Sequence, residues 1–239
     1  MGQFYNPYIA SFETMCLNMD VANVRSYPGS GSNWFDVSNF NNTGALTSCT
    51  LTGSGGTTAF TFNGTTSLVN LGTTNGGNVT TAWTVEAWIY PTGFGEGSSG
   101  RIFQHSSGSL TGFIFSLDNT NVTSGIQLNT YAVSGFSARI GNCITLNVWQ
   151  QVALSFSSGT ATFYVNGASI GSSSITSPSS YTGSDFIGNN SGATNTFAGN
   201  ISVVRLYRSA LTAADIRNNY DVFKGRYSTS GAGGLEVPQ

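Results

Sequence analysis

Hydrolysis of a glycosidic bond needs two carboxylates flanking it, about 5–5.5 Å apart for retention and wider for inversion. The sequence holds four glutamates, Glu13, Glu86, Glu96 and Glu236, no two within six residues of each other, and its aspartates are scattered. Glu86 sits in the most regular alternating segment, TAWTVEAWIYP, yet has no acid two residues away on the same face. A nucleophile–base arrangement would have to use His105, the single histidine, which ends RIFQH ahead of Ser106, Ser107 and Gly108 and reads as an exposed or packing side chain. Cys16, Cys49 and Cys143 are widely spaced with no C-x-x-C, whereas zinc wants ligands paired at short spacing together with histidine. They read as free thiols acting as small apolar residues, with one disulfide and one free thiol as the alternative. No catalytic residue and no metal set is assigned, and enzymatic activity is not expected.

The remaining chemistry lies in aromatic surface. Trp83, Val85, Ala87 and Ile89 share one face of the 81–91 segment, which puts Thr84, Glu86, Trp88 and Tyr90 on the other. Tyr131 and Tyr181 fall near loops. Trp88, Tyr90, Tyr131 and Tyr181 are therefore the candidate ligand-binding residues, able to stack on sugar rings or to form a protein interface. Trp34, Phe94 and Tyr164 belong to the same group with less reason. The competing expectation for each is that it fills the second face of a sheet covered by loops.

The elements that must position these residues are short strands. MCLNMD (15–20), ALTSCTLTG, TTAFTFNGTTSLVNLG, RIFQH, GFIFSLD, GIQLNTY and FSARIG are apolar or alternating runs bounded by Gly, Asn or Ser. Residues 149–171, WQQVALSFSSGTATFYVNGASIG, read as a meander. Asn166-Gly167 suits a two-residue type I′ turn, whose central residues both need positive φ; that register sets Val165 opposite Ala168 and Phe163 opposite Ile170. The segment 25–38, SYPGSGSNWFDVS with its leading Arg25, reads as turn chemistry. Residues 197–208 read as a long strand, after which Thr212 and Asp215 form a capping box that starts a short helix near 212–223. Many short strands without alternating helices argue for an all-β sandwich or barrel.

Charged residues make up 8% of the 239-residue chain, with Lys224 the single lysine and a net charge of −2; a typical chain has about 25%. Solubility must come from Ser, Thr, Asn and Gly. Phosphate-driven affinity needs clustered Lys and Arg, so nucleic acid is excluded as a partner. No apolar run approaches the roughly 18–20 residues of a membrane helix, so no membrane insertion is expected. The first twenty residues do not read as a signal peptide. The expected organisation is an arm at 1–14, one domain at 15–227 and a flexible tail at 228–239.

In order, SYPGSGSNWFDVSNFNNTGAL, FTFNGTTSLVNLG, WTVEAWIYP, the 149–171 meander and FAGNISVVRLYRSALTAADIRNNY resemble the laminin-G-like branch of the concanavalin-A-like lectin/glucanase superfamily. The resemblance covers roughly residues 17–227. It implies a jelly-roll sandwich of two antiparallel sheets acting in glycan or protein binding and adhesion, and it is most like versions in phage virion proteins. Related domains often hold calcium through acids in the late strand after F-x-G. Here Ser202 and Val203 stand at those positions, so no cofactor is assigned; Asp20 and Asp185 with backbone carbonyls are the remaining route to a calcium ion.

The resulting expectation is a non-enzymatic structural and adhesive module on the virion surface: a phage decoration, fibre or tail-associated protein. Its partners would be capsid or tail proteins, glycans of the host surface and further copies of itself. An uncharged polar surface without an export signal suits a protein that assembles in the cytoplasm and meets the outside after lysis. The alternative is an extracellular carbohydrate-binding module of a secreted bacterial protein.

Overall fold

The computed structural model describes residues 9–106, 111–130 and 137–228. The alternating segments form β1 (Met15–Asp20), β2 (Asn33–Phe35), β3 (Thr43–Thr47), β4 (Thr50–Thr52), β5 (Ala59–Asn63) and β6 (Leu68–Gly72). The long strand β7 (Ala82–Pro91) follows, then β8 (Arg101–His105), β9 (Phe113–Asp118), β10 (Gly125–Thr130) and β11 (Ser137–Ile140). The meander is β12 (Gln150–Ser157), β13 (Thr160–Val165) and β14 (Ala168–Ser174). The short β15 (Asp185–Ile187), the long β16 (Ala198–Tyr207) and the α-helix α1 (Ala213–Tyr227) follow, and single 3₁₀ turns at Phe12–Thr14, Gly55–Thr57 and Glu96–Ser98 complete the described elements.

All pairings are antiparallel and make two sheets. The first runs β14-β13-β12-β7-β16-β5-β4, and the second runs β11-β10-β9-β8-β15-β6-β3-β2. β16 carries β7 along one edge, while its other edge is divided between β5 at Ala198–Ile201 and β1 at Val203–Tyr207. The core lies between the sheets, as the alternation requires. Trp83, Val85, Ala87 and Ile89 of β7 and Val152, Leu154 and Phe156 of β12 meet Phe113, Phe115 and Leu117 of β9 and Ile126 and Leu128 of β10. Full burial of each such side chain stabilises by ~1.5–3 kcal/mol, which makes this a jelly-roll sandwich held by its inner faces.

Two local expectations need correction. The 25–38 segment is not turn throughout: Asn33–Phe35 pairs with Thr43–Ala45 at the edge of the second sheet. Trp34 is fully buried and meets Phe60 edge-to-face at 5.2 Å, so it is core and offers no loop surface. A strand of three residues is too short to show a period, and burial of the indole decides the local structure. In the meander, Val165 does pair Ala168 across the Asn166–Gly167 turn, whose φ values are 51° and 73°. Phe163, however, faces Gly171, because Ile170 is the extra residue of a β-bulge. Gly171 holds φ 150°, and a Cβ there would come within 2.9 Å of Ile140; its bare backbone lets the first sheet's edge approach β11.

The helix begins where the capping box places it. The Thr212 hydroxyl accepts from the Asp215 amide at 3.2 Å, and the Asp215 carboxylate accepts from the Thr212 amide at 3.0 Å. It runs one turn past 223 because Tyr227 continues the buried series Ile216, Asn219 and Phe223. Thr212→Ala is expected to cost about 1 kcal/mol, read as a lower urea midpoint with unchanged slope. The arm packs on this helix: Ile9 touches two apolar clusters beneath it, and the Ala10 amide donates to Asn219 at 2.8 Å. Residues 1–8 of the arm and 229–239 of the tail lie outside the described residues.

Candidate functional site

The helix covers the outer face of the first sheet, and that explains why β7 is buried on both sides. Glu86 stands at the centre of the contact. Its carboxylate accepts from Arg205 Nη1 at 2.7 Å, Tyr207 Oη at 3.1 Å, Asn219 Nδ2 at 3.1 Å and Gln151 Nε2 at 3.3 Å. Arg205 also reaches Asn18 at 3.1 Å and lies under the Phe223 ring at 4.2 Å. Burial works to lower the Arg205 pKa, but Glu86 beside it keeps it above the usual value. Burial, with Glu86 adding to it, holds the Tyr207 phenol well above its ordinary range. Glu86 is thus committed to locking the helix to the sheet.

Beside this lock the same face opens into an aromatic cleft of about 310 Å³, lined by Trp88, Trp149, Asn166, Tyr220, Lys224, Gly225, Tyr227 and Ser228. Trp88 is its floor. Only 2% exposed, it stacks on Tyr227 at 4.1 Å and lies parallel to Tyr220 at 5.7 Å. Trp149 closes one side, 4.8 Å from Tyr227 and 5.6 Å from Tyr90. Trp149 and Tyr220 are half-buried, and Asn166 and Lys224 are exposed on the rim. The Asn166–Gly167 turn reaches the helix because a Cβ at Gly167 would meet Tyr220 at 2.8 Å. Pockets of this size lined by aromatic rings with a few polar groups are ordinary sites for small molecules.

Trp88 and Tyr90 are therefore brought together, with Trp88 as support rather than exposed platform. The half-buried platforms are Trp149 and Tyr220, which the sequence offered only as the start of the meander and as a residue within the short helix expected near 212–223. Tyr181 is elsewhere. Its ring stands edge-on to His105 at 5.0 Å, and its hydroxyl donates to the Ser184 carbonyl at 2.9 Å. Burial, and then the charge of Asp185, raise its pKa. Tyr131 lies outside the described residues.

His105 is buried, with Nδ1 2.8 Å from Asp185 Oδ1. This is the orienting half of a catalytic base, but His105 Nε2 has no hydrogen-bond partner among the described residues, so no nucleophile is placed on it. The calcium route does not fit. Both oxygens of Asp20 are taken by Arg226, at 2.8 and 2.9 Å, and Asp185 is held by His105 in the other sheet. Among the described residues no three His, Cys, Asp or Glu side chains cluster for a metal. The three cysteines are free thiols; burial pushes Cys16 and Cys49 up to about 12 and raises Cys143.

A second polar row lines the outer face of the second sheet. Gln127 donates to Ser116 at 3.1 Å, and Arg139 donates to Gln127 at 3.2 Å and pairs with Asp118 at 3.0 Å. Arg101 reaches Asn195 at 3.2 Å. These side chains are largely engaged with one another, whereas the cleft beside α1 presents half-buried rings to an opening.

The two sheets form a jelly-roll sandwich with an aromatic cleft on the outer face of the first. A laminin G model described as the Concanavalin A-like lectin/glucanases superfamily matches residues 63–217, and the chain belongs to that superfamily. No curated protein sequence matches it. The binding domain of Paraclostridial Mosquitocidal Protein 1 superimposes with TM-score 0.68 at 14% identity, covering 89% of this chain and 53% of that one. The binding domain of botulinum neurotoxin DC, solved in complex with SialylT, gives 0.66 at 13%, covering 89% and 52%. Domain 4 of AbnA, a GH43 extracellular arabinanase from Geobacillus stearothermophilus solved with arabinotriose, gives 0.65 at 16%, covering 87% and 98%. The chain thus spans about half the length of the toxin binding domains but nearly all of the arabinanase domain. At these identities the likeness is one of fold.

Proposed function

We propose that the protein is a non-enzymatic glycan-binding module with an adhesive role on the surface of a virus particle, held there by other particle proteins. The observation that carries the glycan reading is the cleft: a buried Trp88 fixes Tyr220 and Tyr227, and a half-buried Trp149 faces the same space. A sugar ring laid against Trp149 or Tyr220 buries its apolar face there while its hydroxyls reach Asn166 and the last turn of the helix. The carboxylates support a non-catalytic reading, since Glu86 is locked by Arg205 and Glu96 accepts from Thr196. The particle setting is supported by composition alone: 8% of the chain is charged, and Ser, Thr, Asn and Gly supply its polarity. A second setting is favoured by the arabinanase domain, which is matched over almost its whole length: a carbohydrate-binding module of a secreted bacterial protein.

Trp149→Ala is expected to weaken binding to glycans on an array by about tenfold or more, a loss near 1.4 kcal/mol, with the melting curve still cooperative. Undiminished binding by the folded variant would remove the cleft from the account. Sedimentation of the chain with particles separates the two settings.

A further inference from the structure

Resting on the reading of the cleft as a glycan site, we propose that it reads the acetamido group of an N-acetylated amino sugar. Its rim offers a donor and an acceptor on two different elements. Asn166, in the turn between β13 and β14, has its Oδ1 committed to the Gln151 amide at 3.0 Å, so its NH₂ is what it presents to a ligand. Ser228, just past the end of α1, directs its hydroxyl hydrogen to the Gly225 carbonyl at 3.3 Å and keeps its oxygen as an acceptor. Both side chains are exposed and line the same opening. Lys224 donates to Asp221 at 2.7 Å, and its remaining N–H groups add donors on the helix side. A trans amide is planar and directs its C=O and N–H opposite ways. Seated across the opening, an acetamido group gives its carbonyl to Asn166 and its N–H to Ser228. A carboxylate has no hydrogen for Ser228, and a hydroxyl in the same place presents a single atom to two walls.

The rings select the same group. Tyr220 and Tyr227 lie within 10° and 15° of the plane of Trp88 and form one stack with it. Trp149 is inclined 44° to Tyr227. The cleft is therefore a corner between ring planes rather than one flat platform. A hexose has an apolar C–H face for one plane, but its edge carries hydroxyls, which a second ring desolvates without offering an acceptor. An acetamido methyl gives that edge an apolar end, and its burial against the second ring favours binding.

The test is calorimetric titration with pairs that differ only in acetamido for hydroxyl: N-acetyllactosamine against lactose, and triacetylchitotriose against cellotriose. The wild-type chain is expected to bind at least one acetamido member about tenfold or more tighter than its counterpart. Because the group is uncharged, that preference should hold from about 0.05 to 0.5 M salt. Asn166→Asp keeps an acceptor for the Gln151 amide, and Asp-Gly still suits the turn, but it turns an acceptor toward the ligand carbonyl. The preference should vanish in Asn166→Asp and shrink in Ser228→Ala, and both variants should melt as the parent does, since both side chains are exposed. A preference untouched in both variants would overturn the assignment. Equal binding within the pairs, lost in Trp149→Ala, would also overturn it and leave the glycan reading standing. No binding of any sugar would overturn both.

Discussion

Arg205→Met is expected to destabilise the protein by about 3–5 kcal/mol, because it strands a buried carboxylate. Arg205 and Glu86 are each about 1% exposed in their side chains and 2.7 Å apart. Removing the cation leaves Glu86 with donors from Tyr207, Asn219 and Gln151 but no opposing charge. The pair need not be a net source of stability. Its attraction offsets a desolvation cost of several kcal/mol per ion, and a well-packed neutral pair of similar volume often does as well. Arg205→Met with Glu86→Gln should therefore recover most of what the single substitution loses, since a glutamine oxygen at the Oε2 position still accepts from Asn219 and Gln151 while its amide faces the Tyr207 oxygen, which can accept. Urea unfolding of wild type, both singles and the double gives the coupling directly. A double variant that falls by the sum of the singles would show that charge is not what couples them. The helix should loosen with the pair, so glycan binding at the adjoining cleft should weaken in Arg205→Met and return in the double.

This lock was not legible in the sequence. Glu86 and Arg205 are 119 residues apart, and nothing in either local pattern connects them. The strands were legible because alternation is a local property: the inward row of β7 could be read from TAWTVEAWIYP alone. Its outward row could be named but not interpreted, since whether Trp88 and Tyr90 face solvent depends on what docks over them. The covering element turned out to be α1 rather than loops. Its register over the sheet decides that Tyr220 and Tyr227 bracket Trp88, and Trp149 becomes a wall of the cleft only because the Asn166–Gly167 turn brings the meander against the helix. The bulge at Ile170 is invisible for a related reason. One inserted residue changes the pairing without disturbing the apolar pattern on either side.

Trp83→Ala should be the most damaging truncation in the core, costing about 3–5 kcal/mol. The indole is fully buried, stacked on Phe113 of the opposite sheet at 3.9 Å and on Phe156 of the neighbouring strand at 5.4 Å. Phe113 in turn meets Phe103 and His105, at 5.9 and 5.3 Å, so the cavity would open where the two sheets grip each other and beside the His105–Asp185 pair. For a chain of this length each kcal/mol moves the melting temperature by about 2–4 °C, which makes the loss easy to read by calorimetry. The phenylalanine variant separates ring packing from the indole's polar atom. Trp83 Nε1 is buried with no acceptor among the described residues, and an unsatisfied buried donor costs about 1–3 kcal/mol. Trp83→Phe gives up part of the ring area but also removes that donor, so its net loss should stay below about 1.5 kcal/mol, within the range of conservative apolar swaps. If Trp83→Phe proved as costly as Trp83→Ala, the indole would have to be holding the sheets through its nitrogen, and a bridging group at Nε1 would replace stacking as the cause.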